Sequence, residues 1–214
     1  MQYLRSLFAL MLVATAGLAL TAMHPAGGNE APAGGYKVGD EAADFKLKST
    51  TGKMVSLSDF EDAKGFIVVF TCNHCPYVKL YEDRIESLNR TYEPLGYPVI
   101  AINPNDEKTY PSDDFKHMVE RAEEKEFTFP YLRDGNQEVA ATYGARKTPE
   151  AFVLEKVRGK YIVRYIGAID DNPKDEDGAS KKYVAQAVKA LMNNEEVDPK
   201  STKAVGCSIK WAKK

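Results

Sequence analysis

The sequence predicts an α/β sandwich built on a mixed central sheet, and three observations carry that expectation. Two continuous apolar runs, Phe66 to Phe70 and Val99 to Ile102, read as strands buried on both faces. Apolar residues at helical spacing follow each run. Alternating apolar and polar residues around turns, one pair at each end of the domain, add hairpins to the strand–helix units.

The elements come in this order. Phe45 and Leu47 alternate with Lys46 and Lys48, Thr51-Gly52 turns the chain, and Val55 and Leu57 return it. After the first buried strand, Pro76 opens a helix with Val78, Tyr81, Ile85 and Leu88 on one face, and Gly96 stops it. The second buried strand ends at Asn103-Pro104. Phe115, Met118, Val119 and Ala122 mark the next helix, with Asp113 and Asp114 suited to its positive N-terminal end. Tyr131-Leu132 leads into a turn at residues 133–136, and a short helix from Glu138 to Tyr143 ends at Gly144. Residues 151–154 and 161–166 flank a turn containing Gly159, a second hairpin. Val184, Ala187, Val188 and Leu191 give the last amphipathic helix.

Composition narrows the function classes. The 214 residues are 43% apolar and 28% charged, with 29 basic against 31 acidic side chains and a net charge of −2. A nucleic-acid binder would normally show a basic excess or stripe. Three cysteines, Cys72, Cys75 and Cys207, are too few for a disulfide-stapled scaffold. Arg5 precedes an uncharged stretch from Ser6 to Ala22 that ends in small residues, the pattern of a secretory signal peptide over 1–22. An uncleaved anchor is the alternative reading. Either way a periplasmic or otherwise extracytoplasmic site is expected, with no membrane contact once the leader is removed. Residues 23–35 are rich in Gly, Pro and Ala and read as a flexible linker, 36–193 as one domain and 194–214 as a C-terminal tail.

The chemistry concentrates at Cys72-Asn73-His74-Cys75. A Cys-x-x-Cys after a buried strand and at the opening of a helix reads as a redox dithiol. Two intervening residues let the sulfurs meet. A helix N-terminus favours thiolate by up to ~2 kcal/mol, roughly 1.5 pKa units. His74, if protonated, would add to this pKa tuning, and a low thiol pKa frees the attacking sulfur near neutral pH. Half a zinc site or an inert structural disulfide are the alternatives. Zinc needs a second ligand pair, and His24, His117 and Cys207 do not form one by spacing, so no metal is expected.

At these residues the chain resembles the thioredoxin-like superfamily, in its redoxin branch of alkyl hydroperoxide reductase/thiol-specific antioxidant proteins and exported thiol-disulfide oxidoreductases. The resemblance covers nearly all of 36–193. Val38 to Phe45, and Gly52-Lys53 with Val55 to Phe60, look like that branch's N-terminal hairpin. Tyr143-Gly144 through Thr148-Pro149, followed by Phe152-Val153-Leu154, looks like the superfamily's cis-proline loop. The resemblance implies a three-layer thioredoxin-like sandwich with an N-terminal β-hairpin and a C-terminal extension. It also implies a cis Pro149 facing the dithiol and a Thr148 backbone that binds a substrate strand. Two departures stand out. Only Thr71 separates the strand from Cys72, with no Trp before it. Pro76 directly follows Cys75, which makes Cys75 the cap of the helix. The peroxiredoxin Pro-x-x-x-Thr/Ser-x-x-Cys signature is absent. Convention favours Cys72 as the attacking thiol, slightly; helix-start chemistry favours Cys75.

The expected function is therefore an exported thiol-disulfide oxidoreductase working through a mixed disulfide on Cys72 and Cys75, with no cofactor beyond the redox-active disulfide. Its partners would be protein thiols or disulfides and a redox protein that recharges the dithiol. A thiol peroxidase acting on hydroperoxides is the alternative, and a non-catalytic binding module comes third. Cys207 is either a small packed thiol that helps the tail dock or a candidate third redox thiol. The charged stretch Glu120 to Glu126 reads as a solvated helix face, and so does His117. Lys174 to Asp177 reads as an exposed loop.

Overall fold

The computed structural model describes residues 34–213. The expected leader, and the linker up to its last two residues, lie outside the described residues. Eight strands form one mixed sheet in the order β1-β9-β8-β4-β5-β6-β2-β3. Its centre is β4 (Gly65–Phe70), parallel to β5 (Val99–Asn103) on one side and antiparallel to β8 (Glu150–Val157) on the other. β6 (Tyr131–Arg133) continues the parallel run, and the hairpin β2 (Lys46–Ser49) and β3 (Met54–Ser56) closes that edge. At the other edge β9 (Lys160–Gly167) pairs β8 and carries the short β1 (Glu41–Ala42). The β8–β9 turn is Arg158-Gly159, both at positive φ (51° and 82°), the geometry that two-residue hairpin turns favour.

Strand side chains alternate between faces, and the sheet accordingly separates two cores. Ile67, Val69, Val99, Ala101 and Val153 point to one face, under α1 (Pro76–Tyr92), α2 (Phe115–Glu124) and α4 (Tyr183–Met192). Phe66, Val68, Phe70, Ile100 and Leu154 point to the other. There they meet Leu57, the helix α3 (Glu138–Tyr143) and the tail residues Ile209 and Trp211. The three-layer sandwich expected from the sequence is thus present. α1 ends in a short 3₁₀ turn, Glu93–Leu95, stopped by Gly96 at φ 93°.

Two segments at the ends of the domain pack against it. The last linker residues are docked: a Cβ on Gly35 would fall 2.4 Å from the Gly144 Cα, and the Tyr36 amide donates to the Tyr143 carbonyl. The C-terminal tail is docked as well. It runs along β9, where the Lys200 carbonyl accepts from the Ile166 amide and the Thr202 amide donates back to Ile166. It then crosses the sheet end as β10 (Cys207–Ser208), paired antiparallel to β7 (Lys147–Thr148). Among the described residues no helix is long and apolar enough to cross a membrane.

Candidate functional site: three cysteines on one proline loop

Strand β4 ends at Phe70, and residues 71–75 turn the chain into α1. Cys75 is the cap of that helix, with Pro76 in its first turn. Proline suits this position because its missing N–H would have no helical partner and its φ is already helical. The Cys72 thiol faces the β7 loop, with its Sγ 3.3 Å from the Thr148 Oγ1. The Cys75 Sγ lies 3.3 Å from the Thr148 carbonyl oxygen. Thr148-Pro149 is a cis peptide, as the resemblance implied. The loop is held by Glu150, whose Oε2 accepts the backbone amides of Arg146 (2.6 Å) and Lys147 (3.0 Å).

Cys75 is disulfide-bonded to Cys207, and Cys72 is the free, buried thiol. The bond joins residues 132 apart in sequence, with Cα atoms 6.0 Å apart. Cys207 therefore belongs to the site. Its strand sits on Thr148, and Gly206 approaches so closely that a Cβ there would fall 2.2 Å from the Thr148 carbonyl oxygen.

The second wall of the site comes from the loop before α2. Asp114 caps α2 by accepting the His117 amide at 2.8 Å. Asp113 reaches across to the dithiol loop instead. Its Oδ1 accepts the Asn73 amide (2.7 Å) and the His74 amide (3.2 Å), and its Oδ2 accepts from Asn105 Nδ2 (2.8 Å) and pairs with His74 Nδ1. The His74 ring stacks on Tyr110, centroids 4.7 Å apart, and Asn73 Oδ1 accepts from the Tyr131 hydroxyl at 2.8 Å. Asp113 is fully buried and is the site residue that sequence reasoning missed. Its neighbour Asp114 carries the capping signal that hid it.

This electrostatic setting corrects one expectation. A thiolate-favouring position was expected for the dithiol, tuned by His74. Instead burial, and next the Asp113 carboxylate, push the Cys72 thiol up to about 11. The Thr148 hydroxyl and the amides of Cys75 and His74 pull it down, but less. The helix start serves Cys75 rather than Cys72, and His74 spends its ring on Asp113. Ligand-type atoms of Cys72, His74 and Asp113 lie within 4.8 Å of one another, a grouping that spacing along the chain did not suggest. Both Asp113 oxygens are engaged by the donors above, so the set reads as a hydrogen-bonded network that fixes the dithiol loop.

Comparison with known proteins fits this geometry. Over 140 residues the chain is 24% identical to the thiol-disulfide oxidoreductase ResA of Halalkalibacterium halodurans, covering 65% of this chain and 74% of that one. A solved structure of an uncharacterized conserved protein from Geobacillus kaustophilus is 34% identical, with a TM-score of 0.77 over 83% of this chain and 94% of its own. A hypothetical protein from Sinorhizobium meliloti 1021 is 30% identical, with a TM-score of 0.76 over 84% and 97%. The model of the AhpC/TSA family matches residues 38–171, a span that holds the dithiol, Asp113 and the proline loop, and the chain belongs to that family.

Proposed function

We propose that the chain is a thiol-disulfide oxidoreductase that exchanges disulfides with protein substrates through a mixed disulfide on Cys75. The observation that carries the reading is the juxtaposition at Thr148: a Cys-x-x-Cys pair whose two sulfurs each lie 3.3 Å from this buried residue, on the short strand edge of β7 that β10 covers. Such an edge binds an extended segment through main-chain hydrogen bonds. The sulfur beside it is the one a bound cystine meets.

Cys75 takes the attacking role. Both sulfurs are buried, but Cys75 stands at the positive end of α1, whereas Cys72, beyond the burial that raises its thiol, also faces the Asp113 carboxylate. This reverses the slight sequence preference for Cys72. The attacking thiolate displaces one substrate sulfur as a thiol, and a second thiol of the chain then displaces the other. Thr148 holds the substrate backbone, and the Asp113–His74–Tyr110 cluster holds the loop still. The leader pattern at 1–22 supports an extracytoplasmic setting, where protein disulfides persist. A redox partner that resets the dithiol follows from the chemistry.

Insulin reduction and peroxide consumption, measured on the wild type, Cys72→Ser and Cys75→Ser, test the reading. Disulfide reduction in the wild type and its loss in Cys75→Ser are expected. Peroxide turnover without disulfide reduction would assign the site to a thiol peroxidase instead.

A further inference from the structure

The tail occupies the strand edge of the site. β7 is a two-residue edge whose strand partner is β10, and the residue opposite Thr148 is Cys207. That cysteine is also the one bonded to Cys75. The tail thus holds, in one piece, the strand pairing and the mixed disulfide that a substrate would have to make. The rest of it is anchored. Ile209 and Trp211 are buried in the core on the α3 face, and the Ile209 amide donates to the Arg146 carbonyl at 3.1 Å. The Lys210 amide donates to Asn105 Oδ1 at 2.8 Å, and its carbonyl accepts from Gln137 Nε2 at 2.9 Å.

We propose that the C-terminal strand is the enzyme's own substrate mimic, and that Cys207, carried on it, resolves the mixed disulfide by displacing the substrate strand from Thr148. The proposal rests on the exchange function above and goes beyond it. In the reduced protein the Cys75 thiolate attacks a substrate disulfide. A Cys75–substrate bond forms, and the other substrate sulfur leaves as a thiolate and takes up a proton. The returning tail brings Cys207 to Cys75. Its thiolate attacks the Cys75 sulfur, the Cys75–Cys207 bond forms, and the second substrate sulfur leaves with the electron pair and gains a proton. Two electrons pass from Cys75 and Cys207 to the substrate, and the product state is the arrangement seen in this structure. One edge cannot hold two strands, so the covalent step and the strand exchange are a single event. Cys72, buried and held as a thiol, is the slower candidate for this step.

The mimic also specifies the substrate class: an extended segment with glycine immediately before the cysteine and an aliphatic residue two positions after it. Gly206 leaves no room for a Cβ against Thr148, and Ile209 fills a buried position. The side chain between them, Ser208, faces out beside Lys147 Nζ at 3.1 Å and is unrestricted.

The test uses the pre-reduced full chain and a disulfide-linked dimer of the peptide Val-Gly-Cys-Ser-Ile-Lys-Trp, with acid quenching and mass analysis of the Cys75–peptide adduct. Cys207→Ser is expected to accumulate the adduct at least about tenfold over the wild type, and Cys72→Ser is not. Gly206→Val keeps all three cysteines but blocks the tail's return, and it is expected to accumulate the adduct as well. A peptide dimer with Val in place of Gly should react about tenfold more slowly, the effect of roughly 1.4 kcal/mol of steric cost. Accumulation in Cys72→Ser alone, with wild-type resolution in Cys207→Ser, overturns the proposal and leaves the exchange function standing. Equal rates for the two peptides overturn the specificity. A wild type that neither forms an adduct nor reduces the peptide overturns the exchange function itself.

Discussion

Replacing Asp113 by Asn tests the electrostatics of the site at nearly constant shape. In the Cys75–Cys207 form the chain has one free thiol, Cys72, so a thiol titration reads that residue alone. Asp113 oxygen and Cys72 sulfur lie within 4.8 Å. Two unit charges 4.8 Å apart, with an effective dielectric of about 20, repel by about 3.5 kcal/mol, the equivalent of roughly 2.5 pKa units. Burial is the larger cause of the rise from 9.0 to about 11, and hydrogen bonds offset part of it. The Asp113 carboxylate is the second cause of the rise. Asp113→Asn should bring the Cys72 midpoint down, by an amount on the order of one pKa unit, read as the Cβ chemical shift of labelled cysteine against pH. The substitution should also destabilise the fold by about 1–3 kcal/mol, because the new amide's N–H₂ faces the Asn105 donor that the carboxylate accepts. An unchanged or raised midpoint would refute the reasoning, and so would a wild-type midpoint near neutral pH.

Three further outcomes follow. Thr148→Val removes the hydroxyl beside Cys72 and keeps the strand edge, so the Cys72 midpoint should rise while insulin reduction slows; a fall in the same titration would contradict this. Because the Cys72 pKa is raised on folding, its contribution to stability is intact below the unfolded value and is lost as pH rises toward about 11. Urea melts should thus show a wild-type decline of about 3 kcal/mol across that window beyond the decline of Cys72→Ala, since buried tyrosines lower both alike. Further along α1, Arg84 and Tyr81 both hold the buried Asp170, at 2.7 and 2.8 Å. Arg84→Ala should cost about 3–5 kcal/mol in the same melts by leaving that carboxylate without its charge partner, and a loss under 1 kcal/mol, on the order of an exposed pair, would contradict the burial argument.

The parts of the molecule legible in the sequence are those set by local patterning. β4 and β5 are continuous apolar runs because both faces are covered. α1 begins where Pro76 permits it, and the β8–β9 turn falls at Gly159. The dithiol and the proline loop were legible for the same reason, as short motifs in a fixed order. Asp113 was not, because its role depends on reaching Asn73 and His74 from forty residues away in sequence, and nothing local separates it from its capping neighbour Asp114. The Cys72 environment was misread because a helix-end argument considers the helix alone. The competing costs come from burial and from a carboxylate on another loop. The partner of Cys207 was open for a related reason: pairing across 132 residues depends on where the tail crosses the sheet, and the tail carries no periodic signal.

The most direct test of the central claim is a thiol count and disulfide map of the pre-reduced chain after one equivalent of insulin. One insulin disulfide should be reduced for each protein disulfide formed, and Cys75 should be a member of every protein disulfide found. Three intact thiols beside unreduced insulin, or a disulfide that leaves Cys75 out, would contradict it.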